Sequence, residues 1–202
     1  MAISRISQST VQAGFPKFNN TWDGFSAVGS MELIRTTTLS ASSASVEFNN
    51  IPGTYNHLQI RSILRNTGGS ASSLDLFMNF NGDTNTNYRQ YKVLFGDGSS
   101  ATAVGSGTST AATNKISPAY FLQDGNTAGV YSAMVCDILD YTNTNKYKVT
   151  RSLNGADVNG SGRINFVSGL WKSTSAITSI ALTVEASSNF KQHTSFSLYG
   201  IK

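Results

Sequence analysis

The sequence is poor in cysteine, histidine, proline and charge. Its single cysteine, Cys136, excludes an internal disulfide and lies in an apolar run, where we expect a buried, unreactive thiol. The two histidines, His57 and His193, form no cluster with other metal ligands, and no GxSxG nucleophile motif is present. Most of the 11 acids lie at turns rather than in pairs suited to acid–base chemistry. We therefore expect a protein that is not an enzyme and that holds no metal or cofactor.

Charge is scarce and evenly spread. Charged residues make up 13% of the chain, and the Lys and Arg residues are scattered from Arg5 to Lys202 without forming a run. The net charge of +4 and the pI near 9.2 alone would suit an anionic partner. Without a basic cluster, a weakly basic solvated surface is the better interpretation, and nucleic acid is not expected as a partner.

Long hydrophobic runs are also missing. No segment approaches the apolar length that a bilayer-spanning helix needs. Residues 1–14 lack the apolar centre of a secretory signal peptide. We expect a protein that is made in a cytosol, is not exported by the common route and has no membrane partner.

Small polar residues are abundant instead. Ser, Thr, Asn and Gly make up 86 of the 202 residues. Ser, Asn and Gly favour turns, Thr favours strands, and stretches of strong helix formers are missing. This composition is typical of many short strands joined by polar loops.

Alternation of apolar and polar residues predicts the strands. In residues 74–80, for example, Leu74, Leu76, Met78 and Phe80 fall on one face. The predicted strands lie at 31–40, 45–48, 57–65, 74–80, 88–95, 118–123, 130–139, 146–154, 163–171, 177–185 and 194–202. We predict an all-β fold, a jelly-roll-like antiparallel β-sandwich over residues 31–202, with a mobile exposed loop at 96–115.

Residues 1–30 differ from the rest of the chain because they lack strand periodicity. Phe15, Phe18, Trp22 and Phe25 occur there among Gly, Asn and Pro. We interpret the segment as an extended N-terminal arm, and its aromatic side chains need a surface to bury against. That surface is either the chain's own sandwich or a neighbouring molecule.

Two similar turns carry the other candidate positions. Asp83, Asn85 and Asn87 alternate as ligands do in calcium loops, but no later Glu completes the set, so a hairpin turn is the better interpretation. The segment DTNTNYRQYKV (83–93) resembles YTNTNKYKV (141–149), either as equivalent hairpins of a jelly roll or by chance. Tyr88 and Tyr141 flank these turns and are predicted to be exposed contact residues.

Four stretches of the chain resemble a known family. They are IPGTYNHLQIRSILRN (51–66), FNGDTNTNY (80–88), GLWKSTSAITSIALTVE (169–185) and NFKQHTSFSLYGIK (189–202). Together they resemble small virion proteins of tailed phages, many of them from marine or cyanobacterial phages. The resemblance covers roughly residues 44–202 and carries over no functional residues, since the shared motifs look like core and turn positions.

The resemblance implies a structural role in the virion, where the protein would be located after synthesis in the host cytoplasm. We expect a homotrimeric capsid decoration (cement) protein that contacts the major capsid protein and bridges neighbouring shell subunits. Phe15, Phe18, Trp22 and Phe25 are the predicted docking residues. The alternative is a head or tail fibre, or a receptor-binding module, that recognises host surface glycan through loop 96–115 and the turn tyrosines.

Overall fold

The computed structural model describes residues 30–70, 72–96, 101–102, 113–158 and 162–202. These residues form twelve strands: β1 (Met31–Thr38), β2 (Ser45–Phe48), β3 (His57–Leu64), β4 (Ser73–Phe80), β5 (Tyr88–Gly96), β6 (Ala101–Thr102), β7 (Ile116–Leu122), β8 (Ser132–Leu139), β9 (Lys148–Asp157), β10 (Gly162–Trp171), β11 (Ile180–Val184) and β12 (Ser195–Ile201). A 3-10 turn at Glu185–Ser187 is the one helical element among them. No helix in the described ranges is long and apolar enough to cross a membrane.

The strands form two antiparallel sheets that pack face to face. One sheet has the order β1-β12-β3-β8-β9-β10-β5-β6 and the other β2-β11-β4-β7. Eight strands, β1, β12, β3 and β8 in one sheet and β2, β11, β4 and β7 in the other, have the order of a jelly roll, in which two Greek keys are wound together. The predicted all-β jelly-roll sandwich is confirmed. The predicted arm, residues 1–30, lies outside the described residues except for Ser30.

The core lies between the sheets and follows the alternation of the sequence. Leu76, Met78 and Phe80 of β4 are fully buried, as predicted. The thiol of Cys136 on β8 is buried as well, and burial raises its pKa to about 12. Residues from both sheets join in one apolar cluster, in which Phe190 contacts Phe121 and Phe196 with ring centroids 6.1 and 5.1 Å apart.

Four further strands widen the larger sheet beyond the jelly roll. β9 and β10 continue from β8, and β5 and β6 follow β10. β6 pairs with the end of β5, so the predicted loop at 96–115 contains a short strand at Ala101–Thr102; most of the remaining loop lies outside the described residues. The connection from β4 to β5 crosses between sheets, whereas β8 and β9 are neighbours in one sheet. The two similar turns therefore do not belong to equivalent hairpins.

Candidate protein-contact surface

The predicted docking residues Phe15, Phe18, Trp22 and Phe25 lie outside the described residues. The predicted exposed contacts, Tyr88 and Tyr141, are described, and the prediction that they are exposed is wrong, because both are fully buried. Each turn directs its tyrosine ring inward to close the end of the core rather than outward into solvent.

Hydrogen bonds hold both tyrosines in place. The Tyr88 hydroxyl accepts the backbone N–H of Phe80 at 3.1 Å and donates to the Asp83 carbonyl at 3.0 Å. The Tyr141 hydroxyl donates to the Pro52 carbonyl. Burial is the largest cause of the raised pKa of each phenol. These two side chains are structural and offer no surface to a ligand.

The Asp83 turn is closed by its own amide groups. The Asp83 carboxylate accepts the side-chain amides of Asn85 and Asn87, both at 2.8 Å, and the indole N–H of Trp171 at 2.7 Å. Burial raises the pKa of Asp83, but these hydrogen bonds outweigh it and hold the pKa below its ordinary value. The turn interpretation of this segment is confirmed, since the Asp83 N–H donates to the Phe80 carbonyl and the Asp83 carboxylate accepts the amides of its own turn. No group of three potential metal ligands occurs within the described ranges.

Two buried cationic side chains hold loops in place at opposite ends of the sandwich. Arg65, 2% exposed, donates to the carbonyls of Asp124, Asn126 and Thr127, and so fixes the loop before β8. Lys148, fully buried at the start of β9, donates to three carbonyls at the other end. Both side chains are fully used in hydrogen bonds within the chain.

Strand β9 has its polar side inside and its apolar side outside. Its inward residues are Lys148, Thr150, Ser152 and Asn154, all buried, while Val149 and Leu153 are 41% and 48% exposed. In an isolated sandwich the opposite arrangement is expected, because burying apolar surface is the main source of stability.

The neighbouring strand β7 explains the polar interior. β7 is an edge strand of the smaller sheet, so one side of its backbone has no strand partner. The Ser152 hydroxyl donates to the Pro118 carbonyl at 2.6 Å, and the Asn154 amide donates to the Tyr120 carbonyl at 2.8 Å. The Ser132 hydroxyl of β8 accepts the Leu122 N–H at 3.0 Å. Polar side chains from β8 and β9 thus cover the open edge of β7 inside the protein.

The apolar side chains that face outward are grouped on one face of the larger sheet. We define the outer face by the seven exposed apolar residues on β3, β8, β9 and β10: Ile63, Val135, Leu139, Val149, Leu153, Ile164 and Phe166. Their exposed fractions run from 36% to 51%. Val135, Leu153 and Phe166 stand directly opposite one another on adjacent strands, as do Leu139 and Val149 on the far side of the row of Asp137 and Arg151. Exposed apolar side chains grouped in this way mark interaction sites.

One ion pair lies within the outer face. Asp137 and Arg151 stand opposite each other between the apolar rows and form an ion pair of 2.9 Å. Gln59 adds a hydrogen bond of 2.7 Å to Asp137. Arg61, opposite Val135 on β3, donates to Gln59 at 2.8 Å and lies 5.4 Å from the Tyr199 ring on β12. The outer face therefore holds one neutral pair and one further positive charge, that of Arg61, at its edge.

The outer face was not predicted from the sequence. The strand at 146–154 was predicted from its alternation, but alternation alone does not say which side of a strand faces the core. A signal was present in the opposite set, where Thr150, Ser152 and Asn154 can all make hydrogen bonds.

No family model, no curated protein and no solved structure matches this chain. We therefore infer its function from the surfaces of the chain itself.

Proposed function

We propose that this chain is a structural protein of a tailed-phage virion, a capsid decoration protein that bridges neighbouring subunits of the shell. The observation that carries the proposal is the outer face, where exposed apolar side chains lie on four adjacent strands and one of these strands, β9, has its polar side inside. A surface of this composition favours burial against protein. The resemblance of residues 44–202 to small phage virion proteins gives the class of assembly.

The proposed role is mechanical. A decoration protein adds buried interface between shell subunits, and that interface opposes the outward pressure of packaged DNA. A standard interface of about 1,600 Å², repeated around the shell, is large enough for specific attachment. The jelly roll is suited to this role because its two sheets form a rigid body with broad faces.

The alternative is a fibre or receptor-binding module for host glycan, for which Tyr88 and Tyr141 were predicted as contacts. Both tyrosines are buried, so neither offers its ring to a glycan. Sugar sites commonly place aromatic rings beside polar groups at the surface. The outer face has aliphatic side chains at its centre instead, which favours a protein partner over a sugar.

Copy number on purified particles tests the proposal. Quantitative mass spectrometry against the major capsid protein is expected to give a number comparable with that of the shell subunits. Particles that lack this protein are expected to release their DNA at lower temperature than complete ones. A few copies per particle, confined to the tail or to one vertex, would contradict decoration and support the fibre.

A further inference from the structure

The size of the outer face matches one side of a protein–protein interface. Seven aliphatic or aromatic side chains between 36% and 51% exposed present roughly 500 Å² of apolar surface, since each such residue has about 150–200 Å² in total. One side of a standard interface buries about 800 Å², of which somewhat more than half is apolar. The outer face and its polar rim therefore suffice for a stable contact.

The outer face is four strands wide, so a partner that covers it must be as broad as a sheet. It covers four adjacent strands, β3, β8, β9 and β10, which are about 4.8 Å apart. Apolar side chains occur along these strands in three separate rows, represented by Leu139, Leu153 and Ile164. A single extended segment covers one row, whereas the face of another sheet covers all three at once.

The charge of the outer face fits a second copy of the same molecule. The chain carries a net charge of +4, and a surface built for an acidic partner would hold part of that excess. The outer face holds little of it: Arg61 adds one positive charge at the edge, and Asp137 pairs with Arg151, of which the side chain is 58% exposed. Two identical copies can therefore approach here with little repulsion, and Asp137 of each copy can pair with the exposed Arg151 of the other.

We propose that the outer face binds a second copy of this chain and is the contact through which the protein forms its oligomer. Apolar side chains of one copy pack against those of the next, as the two sheets do inside each sandwich. A face that packs on the same face of a second copy is related to it by a two-fold axis, so the proposed contact by itself forms a dimer. This inference rests on the proposed function, because it names a second copy of this chain as the protein that covers the outer face and leaves contact with the shell to other surfaces.

The test compares two substitutions of the same kind in the full chain. Leu153→Arg places a charge at the centre of the outer face. Leu33→Arg is the matched control, because Leu33 is 58% exposed on β1, at the far edge of the same sheet. Light scattering coupled to size-exclusion chromatography gives the masses, and circular dichroism shows whether each variant keeps the fold of the wild type.

We expect the wild type and Leu33→Arg to share a mass that is a multiple of 21.6 kDa, and Leu153→Arg to have the mass of one chain. If Leu153→Arg fails to fold, Val135→Arg takes its place, since Val135 is 40% exposed on β8 in the same row. A monomeric wild type would overturn the proposal, and so would an oligomer that persists in the outer-face variants. Either result leaves the copy number on particles unchanged, so the two proposals fail separately.

Discussion

β8 and β9 are neighbours in one sheet, yet their side chains are arranged in opposite ways. β8 buries Met134, Cys136 and Ile138, whereas β9 buries Thr150, Ser152 and Asn154 and exposes its aliphatic residues. The difference lies in what each strand faces. β8 belongs to the jelly roll and faces its apolar core. β9 belongs to the extension, the four strands β9, β10, β5 and β6 that widen the larger sheet, and it faces the open edge of β7. Which side of a strand carries its polar residues therefore depends on what the strand faces across the core.

The largest expected effect is the difference in unfolding free energy between shortening a core leucine and shortening a leucine of the outer face. Leu198→Ala removes a fully buried side chain from β12, and we expect a loss of about 3 kcal/mol in the free energy of unfolding. Leu153→Ala removes a side chain 48% exposed on β9, with an expected loss below about 1 kcal/mol. Urea unfolding of dilute protein measures both.

Dilution matters because assembly adds to the apparent stability of any variant that forms oligomers. Equal losses for Leu198→Ala and Leu153→Ala in dilute solution would mean that the outer face contributes to the fold like a core. The contrast between the jelly roll and its extension would then be lost.

The next largest effect should come from the polar interior of β9. Ser152→Ala and Asn154→Ala each remove a donor from a carbonyl of β7, and we expect each to cost about 1–2 kcal/mol because the buried carbonyl is left without that partner. Ser168→Ala, on the outward side of β10, is the control and should change stability by less than about 0.5 kcal/mol.

Thermal or urea unfolding would show these losses, and hydrogen exchange of β7 amides would locate them. Losses no larger than that of Ser168→Ala would mean that Ser152 and Asn154 do not stabilise the edge of β7. Another reason would then be needed for the polar interior of the extension.

Local pattern was enough to predict the jelly-roll half of the molecule. β2 was predicted with its observed bounds, and β8 and β11 lie within the strands predicted at 130–139 and 177–185 and bury every second residue. These strands face an apolar core, so hydrophobicity alone indicates their inner side. The same rule cannot orient β9, because the carbonyls of β7 that its polar residues satisfy become neighbours only in the folded chain.

Turn chemistry was predictable, but the direction of the turn tyrosines was not. Asp and Asn at 83–87 predicted a turn, which the hydrogen bonds to Asp83 confirm. Tyr88 and Tyr141 next to the turns were predicted to be exposed, although each ring lies in the core. Tyr88 stacks on Trp171, 83 positions later in the sequence, with ring centroids 6.2 Å apart. Contacts over that separation depend on how the two sheets are wound, which no local pattern shows.

The smallest effect should be the pH dependence that comes from the Asp83 turn, at the end of the extension. Asp83 has a lower pKa in the folded protein than its ordinary value of 3.8, so its charged form stabilises the fold above pH 3.8. That contribution is lost as the pH falls through the pKa of the folded protein, because protonation weakens the hydrogen bonds from Trp171, Asn85 and Asn87.

Asp83→Asn is expected to cost about 1 kcal/mol at neutral pH, since the amide keeps one acceptor for the indole but loses the charge. The difference in unfolding free energy between wild type and variant should therefore shrink as the pH is lowered below 3.8, with tryptophan fluorescence as the readout. A difference that stays constant across that range would mean that the charge of Asp83 does not stabilise the turn, and that its place beside Trp171 is a matter of packing alone.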